Sequence, residues 1–234
     1  MKATWFGHSA VRIETGNAVI IIDPFLSDSS TFEGDPLEAA KGATHVVLTH
    51  GHDDHIGDTV SICKETGAQL VANFEICNYL GGKGVENFSP GNHGGRIDCG
   101  DFDVAFVQAW HSSSSIVDGT PVYLGNPAGV VILPKASYEP VVLHMGDTDI
   151  FSDMKLIADI YKPQVGFVPI GDRFTMGADL AARACRDYFD FKTVIPVHYG
   201  TFPIIDQDAS KFEKATTGVG AKVLVPKIGE AFDL

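Results

Sequence analysis

The sequence predicts an α/β fold: two mixed β-sheets packed face to face, with helices on the outer faces. Two observations carry this expectation. Apolar runs of strand length alternate with helical patterns, and β-rich stretches occur twice, each followed by strand and helix units. With 234 residues, 44% of them hydrophobic, the chain can bury a substantial core. No Pro/Gly-rich linker divides it, so one domain over residues 1–234 is expected.

The elements follow in order. Residues 3–6, 10–14 and 18–22 alternate as strands do, and Thr15-Gly16-Asn17 reads as a hairpin turn, so a meander opens the chain. A strand at 45–49, a helix at 56–65 and a strand at 69–72 come next. Residues 96–133 return to strands and turns, with strands at 102–108, 121–124 and 129–133. The last hundred residues alternate again: a strand at 141–143, a helix near 152–160, a strand at 166–170, a helix at 178–189, a strand at 193–197 and a short helix around Ala209. No clear internal sequence repeat is present, and the one low-complexity segment is the serine run at 112–115.

Composition narrows the function classes. No stretch approaches the ~18–20 uninterrupted apolar residues of a membrane span, and the N-terminus lacks the charged, apolar and cleavage regions of a signal peptide, so a cytoplasmic location is expected. Cys63, Cys77, Cys99 and Cys185 are far apart with no C-x-x-C pair, which suggests neither a disulfide framework nor a zinc ribbon. A net charge of −13 with only 17 Lys plus Arg disfavours nucleic acid as a partner. A small anionic substrate stays open, because bound cations reverse a local field. The oligomeric state is likewise left open.

The strongest signal is Thr49-His50-Gly51-His52-Asp53-Asp54-His55, an apolar strand running straight into three histidines and two aspartates. In the turn after a strand, His50 and His52 can point the same way, while Asp54 and His55 begin a helix and turn toward a neighbouring position. One loop can then serve two adjacent metal ions. The plainer reading is a polar turn in which Asp53 or Asp54 caps the helix. A cap does not require three histidines in six residues.

This segment matches the H-x-H-x-D-H signature of the metallo-β-lactamase superfamily, and nearly the whole chain resembles that family in order and spacing. The flanking motifs Trp5-Phe6-Gly7-His8-Ser9, Gly171-Asp172-Arg173-Phe174-Thr175-Met176-Gly177 and His198-Tyr199-Gly200-Thr201-Phe202-Pro203 resemble the branch of small metal-dependent hydrolases related to the ascorbate-6-phosphate lactonases. The resemblance implies the αββα sandwich of that family. It also implies that His50, His52 and His111 bind one metal, that Asp54, His55 and His198 bind a second, and that Asp147 bridges them. Asp23, at the end of the third strand, would orient a ligand loop through hydrogen bonds. The oxygen-reducing di-iron relatives carry a glutamate at the position of His52, so the histidine implies hydrolysis over redox chemistry.

Imidazole and carboxylate donors suit Zn²⁺, with Mn²⁺ or Fe²⁺ as alternatives. The expected activity is hydrolysis of a small ester, lactone or phosphoester by a hydroxide shared between two metals, with Asp54 orienting it. Two other readings remain: a phosphodiesterase or nuclease of the same fold, and a metal-binding protein without catalysis. His8, Arg173, Thr175 and Tyr199 are the expected substrate contacts. Arg173 precedes a helix start, where backbone N–H groups also favour anions, although pairing with Asp172 is the simpler role. For His8, a structural role within a hairpin competes with a place near the cleft. His45, His93 and His144 default to structural roles.

Overall fold

Alternating apolar residues form the first three strands, β1 (Lys2–Trp5), β2 (Val11–Thr15) and β3 (Ala18–Ile22), paired as an antiparallel meander. The β2–β3 turn passes through Gly16 at φ +55°, a left-handed conformation that favours a residue without Cβ. In the computed structural model, which describes residues 1–234, α1 (Pro36–Ala39), β4 (His45–Val47), α2 (Asp53–Ile56), α3 (Thr59–Thr66), β5 (Gln69–Asn73), α4 (Phe74–Gly81) and β6 (Phe88–Gly91) come next. The second half holds β7 (Arg96–Asp98), β8 (Phe102–Gln108), β9 (Ser114–Val117), β10 (Thr120–Tyr123), β11 (Ala128–Pro134), β12 (Val142–His144) and α5 (Met154–Tyr161). It continues through β13 (Val165–Pro169), α6 (Ala178–Tyr188), β14 (Thr193–Val197), α7 (Ser210–Ala215), β15 (Lys222–Val223) and β16 (Ala231–Asp233).

The strands make two sheets of seven, in the orders β16-β1-β2-β3-β4-β5-β6 and β15-β14-β13-β12-β11-β8-β7. In the first, the pairings from β16 to β3 are antiparallel and those from β3 to β6 parallel. The second repeats this pattern, antiparallel from β7 to β12 and parallel from β12 to β15. The halves therefore share a topology that their sequences do not advertise. The β9–β10 hairpin stands apart as a two-stranded sheet.

Alternation distributes side chains between layers. In β3, Ile20 and Ile22 enter the core between the sheets, where they join Val11, Ile13, Val104, Phe106, Val130 and Phe167. Ile21 points the other way, into a second cluster with Leu48, Leu70, Ile62 of α3 and Ile76 and Leu80 of α4. On α6, Ala178, Ala181, Ala182 and Cys185 are buried at the i, i+3, i+4, i+7 positions of one helical face. The result is the expected αββα sandwich.

Two stretches depart from expectation. The helix expected at 56–65 is two helices, because Gly57 adopts φ +38° and a Cβ there would lie 2.3 Å from the Pro24 carbonyl oxygen. Helices α1 and α4 occupy stretches without clear periodicity, but each carries a start signal. Asp35 caps α1 ahead of Pro36, and the Asn73 side chain accepts from the Ile76 N–H. No helix is long and apolar enough to cross a membrane.

Candidate metal centre

The clustered side chains all follow strands. Asp23 follows β3, the 49–55 loop follows β4, His111 follows β8, Asp147 follows β12 and His198 follows β14. This gathers loops from both sheets at one edge of the sandwich, the place where strand carboxyl ends leave a crevice.

Asp23 sets up the 49–55 loop. Its Oδ1 accepts from the Thr49 N–H at 2.9 Å, and its Oδ2 accepts from Thr49 Oγ1–H at 2.6 Å and from His55 Nδ1–H at 2.8 Å. Thr49 Oγ1, its proton committed to Asp23, accepts from His50 Nδ1–H at 2.9 Å. Both imidazoles thereby commit Nδ1–H to these acceptors and turn Nε2 toward the cluster, the orientation in which a metal can take the Nε2 lone pair. Neither Asp53 nor Asp54 caps α2; the N-cap position is His52, with no side-chain cap bond.

The free nitrogens converge on Asp147. Its Oδ2 lies 3.0 Å from His198 Nε2, 3.3 Å from His55 Nε2, 3.6 Å from His111 Nε2 and 3.9 Å from His50 Nε2. His52 presents Nδ1 instead, 3.0 Å from His50 Nε2 and 3.3 Å from His111 Nε2. Ligand-capable atoms fall into sets that include His50, His52 and His111 on one side, and His8, Asp54, His55 and His198 on the other.

These residues fit divalent ions. His55 Nε2, His198 Nε2 and Asp147 Oδ1 are buried without a hydrogen-bond partner, a cost that a bound cation removes. Burial and then the charge of His55 drive His50 well below the usual histidine range. Burial also lowers His52 and His111. Although burial opposes ionisation, His198 and His55 hold the Asp147 carboxyl well below its usual range. His55, buried between Asp147 and Asp23, is raised well above the usual value against the pull of burial. Without an ion the cluster needs a proton to balance its carboxylates, and metal binding displaces such protons.

Supporting contacts come from motifs that sequence reasoning left bland. Ser113 Oγ accepts from the Gly51 N–H and donates to the Leu124 carbonyl, both at 3.0 Å, while Ser115 Oγ donates to Asp53 Oδ1 at 2.6 Å. The serine run thus fastens the histidine loop to the β9–β10 hairpin. His144 donates from Nε2 to the Ser9 carbonyl at 3.0 Å and accepts at Nδ1 from the Gly146 N–H at 3.1 Å, so it ties the turn before Asp147 to the β1–β2 loop.

The residues named as substrate contacts are scattered. His8 is fully buried and both its nitrogens are engaged: Nε2–H donates to Asp54 Oδ2 at 3.1 Å, and Nδ1 accepts from Thr201 Oγ1 at 3.0 Å. Burial, followed by His198, lowers it to about 4, so it is neutral near pH 7. It therefore holds Asp54 from below and offers no free nitrogen to a substrate. Tyr199 is a core residue, its ring 5.1 Å from that of Trp5, and burial pushes its hydroxyl up to about 12. Arg173 is exposed and forms no ion pair with Asp172; its guanidinium lies 5.8 Å from the ring centroid of its neighbour Phe174. Thr175 is half-buried, with Oγ1 donating to the Met176 carbonyl.

The open cleft above the cluster, about 520 Å³, is lined instead by Phe25, Asp28, Ser114, Ile116 and Phe202 beside His52, Asp53 and Asp54. Sequence reasoning missed the first five. Ser114 and Phe202 lie in segments already noted, the serine run and the 198–203 motif, but nothing local marks any of the five as lining a cleft, because strand β9 and the loops after β3 and β14 meet only in the folded sandwich.

Comparison with known proteins agrees with this geometry. Residues 2–198 match the beta-lactamase superfamily domain. A UPF0173 metal-dependent hydrolase of Methylocella silvestris is 61% identical over 229 residues, covering 98% of this chain and 98% of its own length. Another, from a Chelativorans species, is 57% identical over 237 residues and covers 100% of both chains. The solved structure of Igni18, a metallo hydrolase from the archaeon Ignicoccus hospitalis, superposes with a TM-score of 0.86 at 34% identity, covering 100% of this chain and 98% of that one. A histidine and aspartate cluster at the strand ends of an αββα sandwich, with close relatives of this kind along its whole length, places the chain in the metallo-β-lactamase superfamily, among its UPF0173 metal-dependent hydrolases.

Proposed function

We propose that the protein hydrolyses a small ester, lactone or phosphoester with two divalent ions, Zn²⁺ in first place and Mn²⁺ or Fe²⁺ as alternatives. His50, His52 and His111 hold one ion, Asp54, His55 and His198 the other, and Asp147 is shared. The observation that carries this reading is the position of Asp147 Oδ2, within 3.9 Å of four imidazole Nε2 atoms drawn from both sets. Two divalent ions bound there lower the pKa of water to about 7 and polarise a carbonyl or phosphoryl oxygen.

The chain's own residues do the rest. Asp23 and Thr49 keep His50 and His55 in the ligating tautomer. The Asp54 carboxyl stays ionised despite partial burial, through His55 and His8. Its Oδ2 takes the His8 proton donor, which leaves Oδ1 with two lone pairs, one for the ion and one that would accept from the attacking water and aim it into the cleft. Asp54→Asn keeps the shape and removes the charge. With saturating metal, kcat should fall at least about a hundredfold, the lower range for a positioned acid–base group, with an unchanged circular dichroism spectrum. Full turnover in this variant removes Asp54 from the mechanism.

A further inference from the structure

We infer that the substrate is an uncharged ester or lactone whose acyl or alkyl group seats on an apolar wall formed by Phe25, Ile116 and Phe202. This deepens the hydrolase reading above and rests on it. The wall flanks Asp54 in the cleft. The Phe25 and Phe202 rings are 6.2 Å apart, and each meets the buried His8 imidazole edge-on, at 5.6 and 5.5 Å. The same imidazole donates to Asp54 Oδ2. One buried residue therefore backs two of the three wall side chains and the carboxylate beside them. Ile116, carried by the β9–β10 hairpin, is 58% exposed at the cleft, apolar surface that a ligand would cover.

Charge points the same way. No Lys or Arg lines the cleft, whereas Asp28, Asp53 and Asp54 do. Together with Asp147, these four carboxylates offset the charge of two divalent ions, so an anionic substrate finds little net attraction. A phosphodiester or carboxylate substrate would normally meet a cation in the lining, as Arg or Lys clamps do for phosphoryl groups.

Straight-chain hydroxamic acids from acetohydroxamic to hexanohydroxamic acid, neutral in solution and bound to metal as hydroxamates with release of a proton to the buffer, test the apolar wall without turnover. Titrated into metal-loaded protein by calorimetry, they should bind more tightly by about two- to fourfold per methylene, the step expected for a partly or fully buried CH₂. Phe202→Ala and Ile116→Ser should flatten that series with metal content unchanged. In parallel, kcat/KM should rise from p-nitrophenyl acetate to p-nitrophenyl hexanoate and exceed that for bis(p-nitrophenyl) phosphate. A flat series in the wild type, an unaltered slope in both variants, or preference for the phosphodiester overturns the inference and leaves the metal centre standing. If even acetohydroxamic acid shows no metal-dependent binding, the hydrolase reading fails and takes the inference with it.

Discussion

Asp23 illustrates how much of the centre depends on a residue that touches no substrate. It sits fully buried at φ +46°, in a left-handed conformation that costs a non-glycine residue energy, and His8 and His198 share this feature at +47° and +61°. The motif Asp23-Pro24 reads as a turn in isolation; its three accepted hydrogen bonds become apparent only once β3 and β4 lie side by side. Asp23→Ala strands three buried donors. At about 1–3 kcal/mol per orphaned group, the metal-free variant should lose roughly 3 kcal/mol or more in urea denaturation. Zinc affinity, measured against a competing chelator, should drop about ten- to a hundredfold. An unchanged midpoint and affinity would deny Asp23 its orienting role. The thiols offer a contrasting case: burial pushes Cys63, Cys77, Cys99 and Cys185 up to about 12. A raised pKa leaves little thiolate at pH 8, so dithionitrobenzoate should label none of the four in the native protein and all of them in guanidinium; rapid native labelling contradicts that burial.

At the level of elements, the candidate ligand positions were readable because each follows an apolar strand, and strands were the best-marked elements: 18–22, 102–108 and 193–197 match β3, β8 and β14 end for end. Helix continuity was not readable. Apolar spacing runs on through residue 57, and the break comes from the close approach of the Pro24 backbone, a tertiary contact. Gly57 and Gly67 separate this effect from simple backbone preference. Both adopt positive φ, but a Cβ at Gly67 meets nothing within 4 Å, whereas one at Gly57 strikes backbone. Gly67→Ala should therefore cost about 1–2 kcal/mol, the left-handed penalty alone. Gly57→Ala should cost several times more in the same thermal melt, because it pries α2, with Asp54 and His55, away from the Pro24-Phe25 backbone after β3. Equal melting temperatures for the two variants would show that the Pro24 contact does not constrain the loop. The misplaced substrate contacts have a similar origin. Tyr199 and Thr175 are close in sequence to site residues, but strand and loop direction send their side chains elsewhere, while Phe25, Ile116 and Phe202 converge from the loop after β3, strand β9 and the loop after β14.

For the whole molecule, the two halves meet at the metal centre, so the ions should act as a staple between sheets. His50 and His55 come from the first half, and His111, Asp147 and His198 from the second. Two ions, each at about a hundredfold above its Kd, add about 5 kcal/mol to stability, which for a chain of this size corresponds to roughly 10–20 °C. Chelation should lower the calorimetric Tm by that amount, and re-addition of Zn²⁺ should restore it; a Tm indifferent to chelator would place the ions outside the fold's stability. One carboxylate, Asp147, is proposed to join two separate ligand sets. Anomalous diffraction at the zinc edge, from crystals of protein purified without chelator, locates the ions. Two peaks about 3.5–4 Å apart on either side of Asp147, one among His50, His52 and His111 and the other among Asp54, His55 and His198, are the expected result. A single peak, or peaks that do not share Asp147, would contradict it.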